Sequence, residues 1–479
     1  MIALMLMTLA GPPAAAAEHP DDVADAALDG ASFSRGVQGP VSDEPWWPDL
    51  SDGSLNELLA MTFDDNADLR AAWARVEQSR GRQIQALSAL SPTVSFDASI
   101  TGAPTDTFGF GFDIPEIPGQ PEEEQPPEVY YSSTAFLKGQ WVLDVFGKSA
   151  FSASASRYDV LASEGNTQAQ RLAVASQVAG AWYDVVAARE RLSIVESQLQ
   201  LGEELLELVE LRYEGGEATA LDVLQQRQQL ANSKVQLPAV RLQLESAEQR
   251  LALLTGRTPL ELKTTLPEGG ALPELGGPPA VGTPDDLLYN RPDLQAAWST
   301  AKAARARRVS AALGYTPTVS VSGQIGQQGI VGLSEPYDEW NTLDSWSVTG
   351  ALSIPIFNGG RTTGALKDAR YGETAALESL RAAALTAVQE VEGALLQDAQ
   401  MSEQRAAWDE NAAAARLSFE ESRARYIEGL TTYVNVLNAL NAAQAAELNA
   451  LQAHRDQLSA RIQLHTALGG GWAMVGEGE

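Results

Sequence analysis

Four stretches of the chain alternate apolar and polar residues with a period of two. In the first, Val94, Phe96, Ala98 and Ile100 oppose Ser95, Asp97, Ser99 and Thr101. The second sets Ala135, Leu137, Trp141, Leu143 and Val145 against Thr134, Lys138, Gln140 and Asp144. The third opposes Val319, Val321 and Ile325 to Ser320, Ser322 and Gln324; the fourth opposes Trp346, Val348, Leu352, Ile354 and Ile356 to Ser345, Ser347, Thr349 and Ser353. This spacing predicts β-strands with one apolar and one wet face. A length of about ten residues also suits a tilted strand across a bilayer.

Elsewhere the period changes. Apolar or small residues at 172, 175, 179, 182 and 186 follow the 3-4-3-4 spacing of a coiled-coil seam. No proline occurs from Gly147 to Leu237, or after Ile356, although the chain has 24. Two long helical hairpins are predicted. One rises to about Tyr213, breaks at Gly215-Gly216, and returns through Leu221, Leu224 and Leu230 to Leu254, where Gly256 and Pro259 end it. The other runs from Gly360 to Tyr426, breaks at Gly429 and returns to Leu468. About 65 helical residues span roughly 100 Å, several times the width of a globular core.

The two patterns belong to one duplicated unit. Asp68 to Ser95 and Asp293 to Ser320 align without a gap, with 12 of 28 positions identical. The expected division follows: 1–17 a signal peptide and 18–63 an extended segment, with a short helix over Ser54 to Met61. Repeat 1 covers 64–256, as helix 64–91, β-hairpin 93–146 and helical hairpin 147–255. A Pro/Gly-rich linker fills 257–289. Repeat 2 covers 290–468, as helix 291–316, β-hairpin 318–357 and helical hairpin 359–468, before a tail at 469–479. Asp64 or Asn66 caps the first repeat's opening helix and Asn290 the second's, with Pro292 in its first turn. Residues 103–129 and 326–344 read as external hairpin loops. The aromatics beside them, Phe108, Phe110, Phe112, Tyr130, Tyr131, Trp340 and Trp346, suit an interfacial girdle, with scattered loop aromatics as the alternative.

Charge and composition remove whole classes of function. A net charge of −30 repels nucleic acid. With no cysteine, there is no disulfide, thiolate zinc site or thiol nucleophile. The apolar N-terminus ends in Ala15-Ala16-Ala17, as an export signal does, and no other apolar run reaches 18 residues. Of three histidines, His19 lies in the tail, while His454 and His465 stand about 16 Å apart on one helix, too far to share a metal. No nucleophile elbow, phosphate loop or zinc signature occurs, so neither an enzyme nor a cofactor is expected. Glu122-Glu123-Glu124 reads as a solvated loop face.

Four amphipathic strands cannot cross a bilayer alone, because open edges leave backbone groups unsatisfied there. Outer-membrane barrels start at about eight strands, so closure must come from several copies, and three would give twelve. The wet faces then line a pore that the helical hairpins continue as a tube.

With these features in place, the chain resembles the TolC-like outer membrane efflux family, in the branch serving resistance–nodulation–division pumps. The marks are Trp46-Trp47 with Leu55, Leu58 and Leu59; Asp68-Leu69 with Ala72; and Arg291-Pro292-Asp293-Leu294. To these are added Phe357-Asn358-Gly359-Gly360, Tyr426 with Gly429, Val436 and Leu437, and Ala467-Leu468-Gly469-Gly470-Gly471-Trp472. The resemblance implies a mainly α fold with a small β part. Three chains would form a twelve-stranded outer-membrane barrel on a helical periplasmic tunnel. The homotrimer would be the exit duct of a tripartite pump, contacting outer-membrane lipid, a periplasmic adaptor (membrane fusion) protein and an inner-membrane pump, with no nucleic acid. Its cargo would be small molecules such as drugs; type I protein secretion or metal-ion efflux is the alternative, and a structural trimeric coiled-coil envelope protein a distant one.

It also implies a periplasmic constriction at Val434, Asn438, Arg425 and Tyr426, whose first-repeat equivalents are Leu221, Gln225, Arg212 and Tyr213. Arg425 and Tyr426 are expected to bond between hairpins; a dipole-stabilised helix end with a packed Tyr is the structural alternative. Gly215, Gly216 and Gly429 mark helical tips for an adaptor, or simple C-caps. Two departures stand out. The lipidated cysteine common in this branch is missing, and Asn438 replaces an acidic ring residue.

Overall fold

The computed structural model describes residues 32–36, 39, 45–50, 52–104, 129–266, 271–332 and 341–470. The expected signal peptide, Glu122-Glu123-Glu124, Phe108, Phe110, Phe112, Trp340 and Gly471-Trp472 lie outside them. The elements are α1 (Gly53–Asp65), α2 (Ala67–Ser88), β1 (Thr93–Pro104), β2 (Val129–Leu143), α3 (Lys148–Glu214) and α4 (Ala220–Leu254). They continue with α5 (Pro259–Thr265), α6 (Asp286–Asn290), α7 (Pro292–Ala312), β3 (Thr318–Gly332), β4 (Asn341–Ser353), α8 (Arg361–Ile427) and α9 (Tyr433–Ala467). Both long helices have 67 residues and both returning helices have 35, so the repeats match in length as well as in sequence. Pro238 lies inside α4, where it withholds a helical hydrogen bond from the Lys234 carbonyl.

Several boundaries differ from the sequence reading, each for a local reason. The expected helix 64–91 is two helices, divided where Asn66 turns extended and caps α2, its Oδ1 accepting from the N–H groups of Asp68 and Leu69. Helix 291–316 is α7 followed by a 3-10 turn over Leu313–Tyr315. Asn290 does not cap α7: it ends α6, and Arg291 stands between them with its carbonyl accepting from Gln295. The strands finish at Leu143 and Ser353, so Val145, Ile354 and Ile356 follow them. The linker carries α5 and α6, α5 started by Pro259 and a Thr258–Glu261 capping box.

By compactness the chain divides across the repeats rather than between them. One unit comprises 78–160 and 301–375 and holds the sheet. Its strands run in the order β1-β2-β3-β4, all antiparallel, so β1 and β4 are the edges. Register aligns Phe96, Leu137, Ile325 and Trp346 in one cross-strand row. These four are 69%, 49%, 62% and 76% exposed, an apolar row open to the surroundings. The adjacent row, Ser95, Lys138, Gln324 and Ser347, is polar throughout. Phe136 breaks the alternation. It sits among the polar positions and is buried, paired with Gly326, where any Cβ would meet the Ala135 carbonyl at 2.0 Å.

The other unit comprises 1–77, 161–300 and 376–479. Its largest core joins Trp46, Leu55, Leu58, Leu59 and Leu69 to α3 residues 174–186, with Leu251, Leu262, Leu458 and Ile462. The predicted seam residues Leu172, Ala175, Ala179, Trp182 and Val186 are all buried. Trp182 also donates from Nε1 to Asp52 at 2.7 Å, the same carboxylate that caps α1. Trp46 is stacked on His465 and edge-on to Trp47, which makes the segment before α1 a packed turn. Among the described residues, no helix is long and apolar enough to cross a membrane.

Candidate functional site

The ends of the two helical hairpins lie together in the second unit, joined by a cluster of Leu205, Val209, Val223, Phe419, Tyr426, Tyr433, Val436 and Leu440. Each rising helix stops in the same way. Beyond α3, Gly216 takes φ +75°, its N–H bonds to the Tyr213 carbonyl, and the Glu217 N–H reaches the Arg212 carbonyl at 2.8 Å. Beyond α8, Gly429 takes φ +77°, bonds to the Tyr426 carbonyl, and Leu430 reaches the Arg425 carbonyl at 2.8 Å. These are Schellman caps, and the left-handed residue is glycine because a Cβ is disfavoured there. Gly215, Gly216 and Gly429 are exposed.

The helices that leave the tips start differently. Thr219 caps α4 with a full capping box, accepting from the Asp222 N–H while its own N–H bonds to the Asp222 carboxylate at 2.8 Å. At α9 the corresponding Thr432 makes no side-chain cap bond; Asn435 stands where Asp222 does and donates its amide to Thr431 Oγ1 at 2.9 Å.

The arginines also part company. Arg212 donates from Nη1 to the Ile427 carbonyl at 2.7 Å, tying the first tip to the last turn of the second. Its guanidinium covers the Tyr426 ring at 4.8 Å and pairs with Glu217 at 3.4 Å. Arg425 bonds within its own helix to Glu421 at 2.7 Å, both side chains being well exposed. Of these two arginines, therefore, Arg212 is the one that links the hairpins within one chain. The tyrosines divide likewise: Tyr213 is 49% exposed and Tyr426 only 5%.

Two residues the sequence reading passed over complete the network. Tyr433 packs edge-on to Tyr426, with ring centroids 5.4 Å apart, and donates its hydroxyl proton to Gln226 Oε1. Gln226, fully buried, donates onward to the Gly202 carbonyl at 2.7 Å. The chain from α9 through α4 to α3 is thus fixed by polar bonds inside an apolar cluster. Burial raises the pKa of both Tyr426 and Tyr433; the Asp222 charge raises them further, and at Tyr426 Arg212 acts in the opposite sense. Both phenols stay protonated at neutral pH. A sequence signal existed for Tyr433 and Gln226: each lies on the seam face of its helix, with Val436 and Val223.

Tyr426, expected at the constriction, lies inside this cluster, whereas Val434 and Asn438 with their equivalents Leu221 and Gln225 lie on the opposite helix faces. Val434 is 43% exposed, Asn438 is exposed, Leu221 is 60% exposed and Gln225 is half-buried. None of these four belongs to the cluster. Of the two described histidines, His454 bonds to the Pro273 carbonyl at 3.0 Å and His465 stacks on Trp46, both packed into the fold. Among the described residues, no group of three or more His, Asp or Glu could hold a metal ion.

Comparison with known proteins places these features in a family context. The model of the outer membrane efflux protein family matches residues 58–257 and 283–470. The chain is 28% identical over 439 residues to the pyoverdine export outer membrane protein OpmQ of Pseudomonas putida, covering 90% of this chain and 89% of that one. It is 28% identical over 437 residues to the toluene efflux pump outer membrane protein TtgF of Pseudomonas putida, covering 89% and 85%. The solved structure of the outer-membrane channel OprN superposes with a TM-score of 0.77 at 26% identity, covering 96% of this chain and 98% of that one.

Proposed function

The chain belongs to the outer membrane efflux protein family, and from that membership we propose that three copies assemble into the exit duct of a tripartite pump. The observation that supports this best is the four-stranded sheet, with β1 and β4 as unpaired edges and its Phe96–Leu137–Ile325–Trp346 row open. Exposed edges and exposed apolar rows are both unfavourable in water. Pairing β4 of one copy with β1 of the next satisfies the edges, and three copies supply twelve strands, an allowed barrel size. Lipid then covers the apolar rows, while Ser95, Lys138, Gln324 and Ser347 face the pore.

In this assembly the hairpin tips form the periplasmic end. Val434 and Asn438, one helical turn apart on an exposed face, make an apolar and a polar collar when three copies meet. The buried network from Arg212 through Tyr426 and Tyr433 to Gln226 holds each pair of tips rigid behind them. Arg425, exposed and bonded only within its helix, is placed to reach a neighbouring copy. Gly215, Gly216 and Gly429 offer the adaptor a flat backbone surface. Transport is passive conduction, with no catalytic chemistry. Small organic molecules are the expected load, in line with the pyoverdine and toluene in the relatives' names.

The test is direct. Purified in detergent, the protein should run as a trimer by light scattering and open discrete channels in planar bilayers. Deleting the gene should raise sensitivity to a drug and solvent panel without changing secreted protein. A detergent-free folded monomer without channel activity overturns the reading.

A further inference from the structure

We propose that an open-sided cavity between α3, α4 and α9 is an oxyanion site, taking a carboxylate or phosphate group on the Arg191 guanidinium. It encloses about 330 Å³, room for about ten waters at roughly 30 Å³ each. Each helix turns one face to it: Asp184 and Arg191 from α3, Gln243 and Arg250 from α4, Gln452 and Arg455 from α9. Asp184 is the one acid in this lining, against three guanidinium groups.

The pairing leaves one cation over. Arg455 donates from Nε to Asp184 Oδ1 at 2.7 Å and pairs at its edge with Asp456 at 3.3 Å. Arg250 approaches the other Asp184 oxygen at 3.8 Å. Among the described residues Arg191 makes no ion pair, and its Nε is buried without a hydrogen-bond partner. Arg191 is half-buried, and an Nε–H shut off from water without a partner is costly. Here it persists in a protein of net charge −30, where carboxylates are plentiful elsewhere. A planar donor fork beside two further guanidinium groups matches the oxygens of a carboxylate or phosphate. Leu448, Leu451 and Ala247 line the rest, lowering the local dielectric and strengthening that contact.

The oxyanion has two sources, a free solute or an acidic side chain of a second copy, and the experiment separates them. Thermal unfolding of the full chain in detergent is followed with inorganic phosphate, at ionic strength matched by chloride, for wild type, Arg191→Gln and Arg191→Lys. With a free anion, phosphate raises the wild-type midpoint by about 1–3 °C over chloride. The rise is smaller in Arg191→Lys and absent in Arg191→Gln. With a neighbour's carboxylate, phosphate does nothing, but Arg191→Gln lowers the midpoint and shifts sedimentation toward smaller species. Either result supports the site. An equal phosphate response in wild type and Arg191→Gln overturns it, as does no response with unchanged midpoint and sedimentation in the variant.

Discussion

Asn66 and Arg291 stand at the same place in the two repeats and make the same tie with different chemistry. Asn66 donates from Nδ2 to the carbonyl of Leu254, the last residue of α4, at 2.8 Å. Arg291 donates from Nη1 to the carbonyl of Ala467, the last residue of α9, at 2.9 Å. Each opening helix is thereby bolted to the end of its own returning hairpin, and each bolt satisfies an orphan C-terminal carbonyl. Arg291 does more: it pairs with Asp293 at 2.8 Å and with Glu390 on α8 at 2.7 Å. Asn66→Ala should cost about 1–2 kcal/mol, as a lost cap and one unmet carbonyl. Arg291→Ala should cost about 2–3 kcal/mol, less than a fully buried pair because both acids are about half exposed. Denaturant unfolding of the two variants checks the order.

The same tie gives a pH dependence. Burial works against ionised Asp293, but the hydrogen bond and charge of Arg291, with helix N–H groups, outweigh it and hold its pKa below the ordinary value. A carboxylate depressed in this way contributes stability that is complete above its unfolded pKa, near 3.9. That contribution is lost as pH falls through the folded value. Asp293→Asn should therefore melt below wild type at pH 7, with the gap closing below about pH 4. Melting curves from pH 7 to 3 decide it; a constant gap would show that the charge is not responsible.

These residues also show what could be read in advance. The duplicated stretch, the strand alternation and the proline-free runs place most of the long elements, because each follows from a period that needs no tertiary knowledge; α4 nevertheless continues through Pro238, and β3 runs to Gly332, into the expected loop 326–344. The boundary at Asn66 was one of two named candidates. Arg291 as a bolt was invisible, since its role depends on a carbonyl 176 positions away. Tyr433 and Gln226 were missed because they look like seam residues, and only packing shows that their polar ends meet. Phe136 breaks the alternation, and the glycine that makes room for it lies on another strand.

Glycines at the joints are expected to be least tolerant. Gly256 and Gly469 recur at equivalent ends of α4 and α9, with φ +71° and +96°. A Cβ there would lie 2.6 Å from the Asp65 carbonyl oxygen and 2.5 Å from that of Asn290. Alanine at either should cost about 2–3 kcal/mol, from left-handed strain plus a clash with backbone that cannot yield. Gly216 has similar φ but open space around it, so Gly216→Ala should cost only about 1 kcal/mol. Equal losses at all three would mean that conformation alone, not space, sets the requirement.

If the tips close the duct, two kinds of substitution should open it differently. Val434→Ala with Asn438→Ala trims exposed side chains outside the cluster, so single-channel conductance should rise with melting little changed. Arg212→Ala removes the bond to Ile427 and the cation over Tyr426, so conductance should rise and fluctuate while stability falls by about 1–2 kcal/mol. Planar bilayer recordings beside thermal melts separate the two. Unchanged conductance in the double variant would remove Val434 and Asn438 from the constriction.

The sheet offers the sharpest contrast, because neighbouring residues on one strand should behave as opposites. Trp346 ends the open apolar row, whereas Ser347 lies in the polar row with Lys138. If lipid covers the first and water the second, Trp346→Arg places a charge in hydrocarbon at about 2–4 kcal/mol per copy, depending on depth. Three copies multiply that cost in the assembled barrel, so the heat-resistant oligomer should be depleted on unheated gels and in outer-membrane fractions. Ser347→Arg costs no such transfer; it should assemble normally and shift ion selectivity toward anions, since three cations would enter the pore. Should Ser347→Arg alone fail, the faces are reversed and the barrel would have to be rebuilt with its wet side outward; equal assembly of both would mean that neither row meets lipid.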